Sequence, residues 1–195
     1  MDEKYESLIT GIIEEGYGLV DDFLPASFVA QIRTYLLAQK AQSKFKTAGI
    51  GQQASQHTTI RNDQILWIES DSEQALEAQY QQALMGFMHY LNRSCYTGLS
   101  SAEMHYAFYD VGSFYKMHVD RFKQDSRRQF SAIFYLNENW SDTDGGELLL
   151  QLPNGQEIKI APKAGRFVCF RSHELPHAVL PANRPRLSIT CWMLK

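Results

Sequence analysis

His118-Val119-Asp120 sets an imidazole and a carboxylate two residues apart, and His177 stands far downstream of both. In an extended strand, side chains two apart point to the same face, so His118 and Asp120 can offer a ring nitrogen and a carboxylate oxygen to one ion. Two histidines and one carboxylate on one side of an octahedral ion leave three positions open, the arrangement in which non-haem Fe(II) binds a cosubstrate and oxygen together. Taken alone, a His-x-Asp pair is also what a solvated strand edge displays, with its His and Asp incidental. His177 closes a second pattern, His173-Glu174-Leu175-Pro176-His177, which satisfies the H-E-x-x-H of zinc peptidases. That chemistry needs a continuous helix. Pro176 removes a backbone donor and clashes with the preceding turn at a cost of about 3 kcal/mol, and the flanks Phe167 to Phe170 and Ala178 to Pro181 have the pattern of strand and turn, so the peptidase is rejected.

Arg186 adds a charge. From Arg186 to Met193 the residues alternate, with Arg186, Ser188, Thr190 and Trp192 on one face and Leu187, Ile189, Cys191 and Met193 on the other. A guanidinium on the inner wall of a β-barrel costs too much to bury unpaired, and its planar fork matches a carboxylate in two-pronged fashion. An anionic cosubstrate would satisfy it, as would an internal ion pair. Arg184, in the turn Ala182-Asn183-Arg184-Pro185, is expected to face water.

The elements that must carry these residues fall into two halves. Tyr5, Leu8, Ile9, Ile12 and Ile13 follow a helical period over about 3–15, and Gly16 stands where that helix stops. Gly18 to Leu24 has the pattern of a short strand. Pro25-Ala26-Ser27 opens a second helix bearing Phe28, Ile32, Leu36 and Leu37. Ala41 to Thr59 is polar and expected as a loop, Ile65 to Ile68 as a strand, and Ser72 to about Leu91 as a long helix. From Glu103 onward, short Tyr-, Phe-, Ile- and Val-rich segments separated by turn residues predict antiparallel strands near 103–110, 114–119, 129–136, 147–152, 156–160, 166–170, 177–181 and 186–193. These suffice for a double-stranded β-helix, or jelly roll. The helical half would expose its apolar stripes alone. The expected architecture is therefore one α+β domain over 1–195, with N-terminal helices (about 1–100) packed on one sheet of the jelly-roll core (about 101–195).

Composition bounds the rest. The 195 residues are 44% hydrophobic and 21% charged, enough for one packed domain. A net charge of -3 offers no field for collecting nucleic acid or anionic lipid. Cys95, Cys169 and Cys191 lack C-x-x-C spacing, which disfavours a disulfide framework and fits a reducing cytoplasm. The charged start Met1-Asp2-Glu3-Lys4 leads into an amphipathic segment, and no apolar run approaches a membrane span, so neither signal peptide nor anchor is expected. His57, His89, His105 and His173 receive no metal role. His89 and His105 are expected as hydrogen-bonded structural imidazoles, and Gly145-Gly146 as a tight turn before the strand from Glu147.

His118-x-Asp120, His177 and Arg186 occur in this order with Ile133-Phe134-Tyr135-Leu136-Asn137, Trp140, Gly145-Gly146 and Ile189-Thr190-x-Trp192. Together they resemble the Fe(II)- and 2-oxoglutarate-dependent prolyl hydroxylases, particularly the hypoxia-inducible-factor type. The segment Ile60-Arg61-Asn62-Asp63-Gln64-Ile65-Leu66-Trp67-Ile68-Glu69 resembles the stretch before the catalytic barrel of that group, so the likeness covers about residues 60–195. The first 55 residues match only in helix and strand pattern. With no added zinc-finger region, the chain looks like a minimal prokaryotic version.

The resemblance implies that His118, Asp120 and His177 bind Fe(II) and that Arg186 holds the distal carboxylate of 2-oxoglutarate. It implies that Tyr135 adds a hydroxyl to that carboxylate, that Thr190 and Trp192 line the same pocket, that Leu148 supplies an apolar wall, and that Tyr109 lies near iron and substrate. The implied reaction consumes 2-oxoglutarate and O2, with ascorbate as a further cofactor, and hydroxylates a prolyl residue of a protein or peptide, releasing succinate and CO2. The loop 41–59 and the basic run Arg121 to Arg128 are candidates to clasp an extended peptide. Two alternatives stay open: a 2-oxoglutarate oxygenase acting on another residue or a small molecule, and a non-catalytic metal- or oxygen-sensing module.

Overall fold

Alternating and helical apolar patterns become two sheets and a helical layer in the computed structural model, which describes residues 1–49, 59–120 and 127–195. Residues 50–58 of the expected 41–59 loop, His57 among them, and residues 121–126 of the basic run Arg121 to Arg128 lie outside the described residues. In chain order the helices are α1 (Asp2–Glu14), α2 (Ala26–Ala41) and α3 (Ala75–Cys95). The strands are β1 (Tyr17–Val20), β2 (Lys46–Thr47), β3 (Gln64–Ile68), β4 (Ser101–Tyr109), β5 (Tyr115–His118), β6 (Arg128–Tyr135), β7 (Leu148–Gln151), β8 (Glu157–Ile160), β9 (Phe167–Arg171), β10 (His177–Val179) and β11 (Arg186–Leu194). A short 3₁₀ turn at Asp142–Asp144 precedes Gly145-Gly146, both with φ near +70°.

Two expectations are corrected. Residues 46–47, expected as loop, form β2 against β3, with the Ala48 amide donating to the Asp63 carbonyl; both strand residues are exposed, so no burial alternation announces them. The long helix begins at Ala75 rather than Ser72, because the Gln74 side chain accepts from the Leu76 and Glu77 amides and so satisfies its free N-terminal donors.

One sheet has the order β1-β9-β6-β11-β4-β3-β2, and the other β5-β10-β7-β8. Odd positions of β11 (Leu187, Ile189, Cys191, Met193) face the helices, where they join Leu8, Ile32, Leu36, Tyr80, Leu84 and Phe87 in the larger core. Phe23 stacks on Phe167 there at 4.2 Å between centroids. A second core between the sheets contains Ile133, Tyr135, Leu148, Leu150, Val168 and Phe170. Even positions of β11 thus face the space between the sheets, as the alternation requires.

The helical layer sits close. A Cβ added at Gly18 would lie 2.2 Å from the Leu8 carbonyl oxygen and 2.7 Å from its Cα, both backbone atoms that cannot swing aside. Gly18→Ala should destabilise the protein by about 3 kcal/mol, the upper range for overpacking. At this chain length that lowers Tm by roughly 10 °C in thermal unfolding; an unchanged Tm would contradict the close packing of α1 on β1.

Candidate active site

β5 and β10 are antiparallel neighbours, and their register sets His118 directly opposite His177. Cross-strand partners project to the same face, and the two rings lie 4.2 Å apart between centroids. Asp120, two residues on from His118, completes the group: its Oδ1 is 3.5 Å from His118 Nε2 and its Oδ2 3.4 Å from His177 Nε2. The candidate ligand atoms all lie within 4.8 Å of one another. Both N···O separations exceed the roughly 2.7–2.9 Å of a charge-assisted hydrogen bond, so the three groups converge on a common point rather than bonding to each other.

The ring orientations have a cause. His118 Nδ1 lies 2.7 Å from the Lys116 carbonyl and His177 Nδ1 3.0 Å from the Leu175 carbonyl. Carbonyls only accept, so each Nδ1 carries the proton and each Nε2 turns a lone pair inward. Asp120 Oδ2 accepts from Ser131 Oγ at 2.7 Å, and that hydroxyl lies 2.8 Å from Ser172 Oγ. Burial would raise the Asp120 carboxyl, but the adjacent His177 and His118 outweigh it and hold the group well below the usual carboxylate range. His118 is lowered by burial and by His177. For His177, burial works downward but Asp120 prevails and raises it. Two neutral imidazoles and one ionised carboxylate suit a divalent transition metal such as Fe, Mn or Ni. Ser131→Ala should weaken divalent-metal binding about 10-fold, the lower range for loss of a group that orients a ligand, read by anaerobic titration of the metal-free protein.

At the other end of this cavity lies Arg186, 2% exposed. Its Nε donates to the Gly146 carbonyl at 2.9 Å and one terminal nitrogen reaches Ser188 Oγ at 3.5 Å, leaving other guanidinium donors over for a ligand. The guanidinium stands 5.0 Å from the ring centroids of Tyr109 and Tyr135. No carboxylate of the described residues pairs with it. The Tyr135 hydroxyl is buried and also lacks a hydrogen-bond partner. Leu148 and half-buried Thr190 line the same cavity. Gly146 does more than turn the chain, since a Cβ there would meet Arg186 Cδ at 3.4 Å and Ala182 Cβ at 2.8 Å.

Trp192 lines the cavity too, but at its triad end. It stands six residues beyond Arg186 on β11, about 20 Å at the strand rise, and its ring packs 3.6 Å from the guanidinium of Arg128, which donates to the Asp120 carbonyl at 3.4 Å. The expectation for His105 changes. It is 2% exposed, its Nδ1 has no hydrogen-bond partner, and it lines this cavity between the rings of Trp67 and Trp192. Burial and the nearby Arg61 push it down to about 3, so it is neutral. His89 lies exposed on α3. His173 lines a separate cleft of about 290 Å³ beside Ile9, Ile12 and Leu91, which contains none of the triad. Sequence reasoning gave no role to Ser131, Ser172, Tyr115 or the Arg61–Asp63 pair. Ser131 had a signal, as a polar residue at an inward position of β6 beside Ile133 and Tyr135.

Comparison with known proteins agrees with this geometry. The sequence signature of the 2OG-Fe(II) oxygenase superfamily matches residues 104–194. A Pseudomonas putida prolyl-4-hydroxylase structure is 36% identical, with a TM-score of 0.89 and 98% of each chain covered. Egl nine homolog 1 of Mus musculus is 31% identical over 198 residues, 96% of this chain and 48% of that protein. The chain spans about half the length of the curated relatives it matches first. A Trichoplax adhaerens prolyl hydroxylase, in complex with a hypoxia inducible factor oxygen degradation domain peptide fragment, shares the fold at TM-score 0.91 and 24% identity, over 99% of this chain and 90% of that one. With a facing His-Asp-His triad, a buried arginine at the cavity's far end and this near-complete alignment, the chain belongs to the 2OG-Fe(II) oxygenase superfamily and, within it, to the prolyl hydroxylase family related to the hypoxia-inducible-factor enzymes.

Proposed function

We propose that the chain is an Fe(II)- and 2-oxoglutarate-dependent dioxygenase that hydroxylates a prolyl residue in a protein or peptide. The observation that carries this reading is one cavity with a metal-binding triad at one end and an uncompensated buried guanidinium at the other. His118, Asp120 and His177 hold the ion through two Nε2 atoms and a carboxylate oxygen. Arg186 takes the distal carboxylate of 2-oxoglutarate, and Tyr135 donates its otherwise unpartnered hydroxyl. Leu148 keeps water from the carbon chain, Tyr109 packs beside the guanidinium, and Thr190 lines the passage between the ends. Trp192 and His105 wall the triad end.

When bound, Fe(II) supplies the redox chemistry by which O2 and 2-oxoglutarate yield succinate, CO2 and one oxygen atom inserted into a substrate C–H bond. The chain's task is to orient the reactants and exclude water. The Nδ1 protons of His118 and His177 stay engaged with the backbone carbonyls throughout, so both Nε2 lone pairs remain committed to the ion. Residues 1–195 serve as one oxygenase domain, with about 1–100 supporting the barrel. No described helix is long and apolar enough to cross a membrane, and Cys95, Cys169 and Cys191 are free thiols, which supports action in a reducing cytoplasm.

Anaerobic addition of Fe(II) and 2-oxoglutarate should produce a charge-transfer absorption band. Admission of oxygen with a protein substrate should then release succinate and leave a single-oxygen gain on proline, read by mass spectrometry. Oxygen gain confined to other residues would overturn the prolyl assignment while leaving the oxygenase intact.

A further inference from the structure

His118 is the least enclosed of the three candidate ligands. It ends β5, a four-residue strand at the edge of its sheet. Its neighbours Met117 and Val119 are exposed, and its own side chain is 15% exposed against 6% for His177. An imidazole at such a place needs more than one hydrogen bond at Nδ1 to fix its ring plane, since rotation about that bond would swing Nε2 off the common point.

A stack of side chains supplies the constraint. The Tyr115 ring lies on the His118 ring, 3.5 Å between centroids and 14° from parallel. The Arg61 guanidinium lies 4.2 Å from the Tyr115 centroid. Two planar groups that close to one ring cannot share a face, so Tyr115 is held between the guanidinium and the imidazole. Arg61 is fixed in turn by two parallel bonds to Asp63, 2.7 Å from Nε and 2.6 Å from a terminal nitrogen. Arg61 is 7% exposed and Asp63 not at all. The backbone locks the same register: the Lys116 amide donates to the Ile60 carbonyl at 2.9 Å, the Phe114 amide to Asn62 Oδ1 at 2.8 Å, and Arg61 bridges Tyr115.

A buried ion pair adds little net stability over apolar groups of the same volume, so stability does not account for one beneath Tyr115. We propose that Asp63, Arg61 and Tyr115 are positioning residues that hold the His118 imidazole plane for the metal, and so set how tightly the ion is kept. This rests on the reading of His118 as a ligand. Asp63 pairs with Arg61 and the Tyr115 ring stands between the guanidinium and His118, so what reaches His118 is orientation.

The test is anaerobic Co(II) titration of the metal-free protein by visible absorption, with release of Co(II) to a chelator timed separately. Tyr115→Phe keeps the ring and should stay within about twofold of wild type. Tyr115→Leu should weaken Co(II) binding 10- to 100-fold, the range for groups that orient a metal ligand, and speed its release. The double variant Arg61→Met/Asp63→Asn removes both charges together, leaves no orphaned carboxylate, and should fall in the same range. Thermal unfolding of the metal-free variants gives the separate readout of folding, and should Tyr115→Leu not fold, the double variant decides. Variants with lowered Tm but wild-type Co(II) affinity and release would make the stack purely structural and overturn the proposal. Wild-type protein with no saturable Co(II) band would overturn the ligand assignment itself, and the proposal with it.

Discussion

Replacing Arg186 with Met should raise the KM and the anaerobic Kd for 2-oxoglutarate roughly 30- to 4,000-fold while leaving metal affinity unchanged. Truncating one partner of a buried charge pair costs roughly 2–5 kcal/mol. Each factor of ten in affinity corresponds to about 1.4 kcal/mol, which gives that range. Loss should fall on 2-oxoglutarate alone because the guanidinium stands at the far end of the cavity from the triad. Stability discriminates this from a structural role. In the protein without ligand, Arg186 has hydrogen bonds to Gly146 and Ser188 but no carboxylate partner among the described residues, so its burial is a cost that the side chain of Met removes. Met fills similar volume between Tyr109 and Tyr135. The ligand-free variant should therefore melt at or above the wild-type temperature, and 2-oxoglutarate should raise the Tm of wild type but not of the variant. An Arg186→Met protein that melts well below wild type yet binds 2-oxoglutarate normally would remove Arg186 from the cosubstrate site.

What the sequence disclosed depended on how local each relation is. Alternation along β11 separated Arg186, Ser188, Thr190 and Trp192 from the helix-facing Leu187, Ile189, Cys191 and Met193, because a strand's period is intrinsic to its backbone. The pairing of His118 with Asp120 was legible for the same reason. The placement of His177 opposite His118 was not, since it is created by β5 pairing with β10 across a long stretch of intervening sequence; there the family resemblance carried the inference. Ser131, Ser172 and the Arg61–Tyr115 stack are relations among separate strands and segments, and no local period records them. Strand length mattered as well: β2, two exposed residues long, is too short to show any alternation. At α3 the residue types gave an amphipathic helix, but its first turn was decided by which side chain, Ser72 or Gln74, reached the free amides, a geometric outcome.

Asp120→Asn should abolish turnover and weaken Fe(II) or Co(II) binding by more than about 100-fold, beyond the loss expected from any group that only orients a ligand. The substitution preserves shape and the approach of Ser131, so what it deletes is the negative charge set between two Nε2 atoms. Its second effect appears without metal. In the wild-type protein Asp120 raises His177 against the opposing pull of burial, whereas His118 is lowered. As pH falls, His177 therefore takes the first proton, and metal affinity should decline as that proton competes with the ion. Asp120 itself does not cause this decline. Its folded value is depressed, so its contribution to stability is fully present above the unfolded carboxylate value of about 3.9 and is lost only as pH drops through the depressed value. The raised His177 works with the opposite sign: its contribution is in place below the unfolded imidazole value of about 6.5 and disappears as pH rises through its folded one. With Asn at 120, burial of His177 is unopposed, and its titration in metal-free protein, followed by imidazole NMR shifts, should move from above about 6.5 to below it. Retention of wild-type metal affinity, or a His177 titration that does not move, would show that the carboxylate neither holds the ion nor faces the imidazole, and the catalytic assignment of all three residues would fall with it.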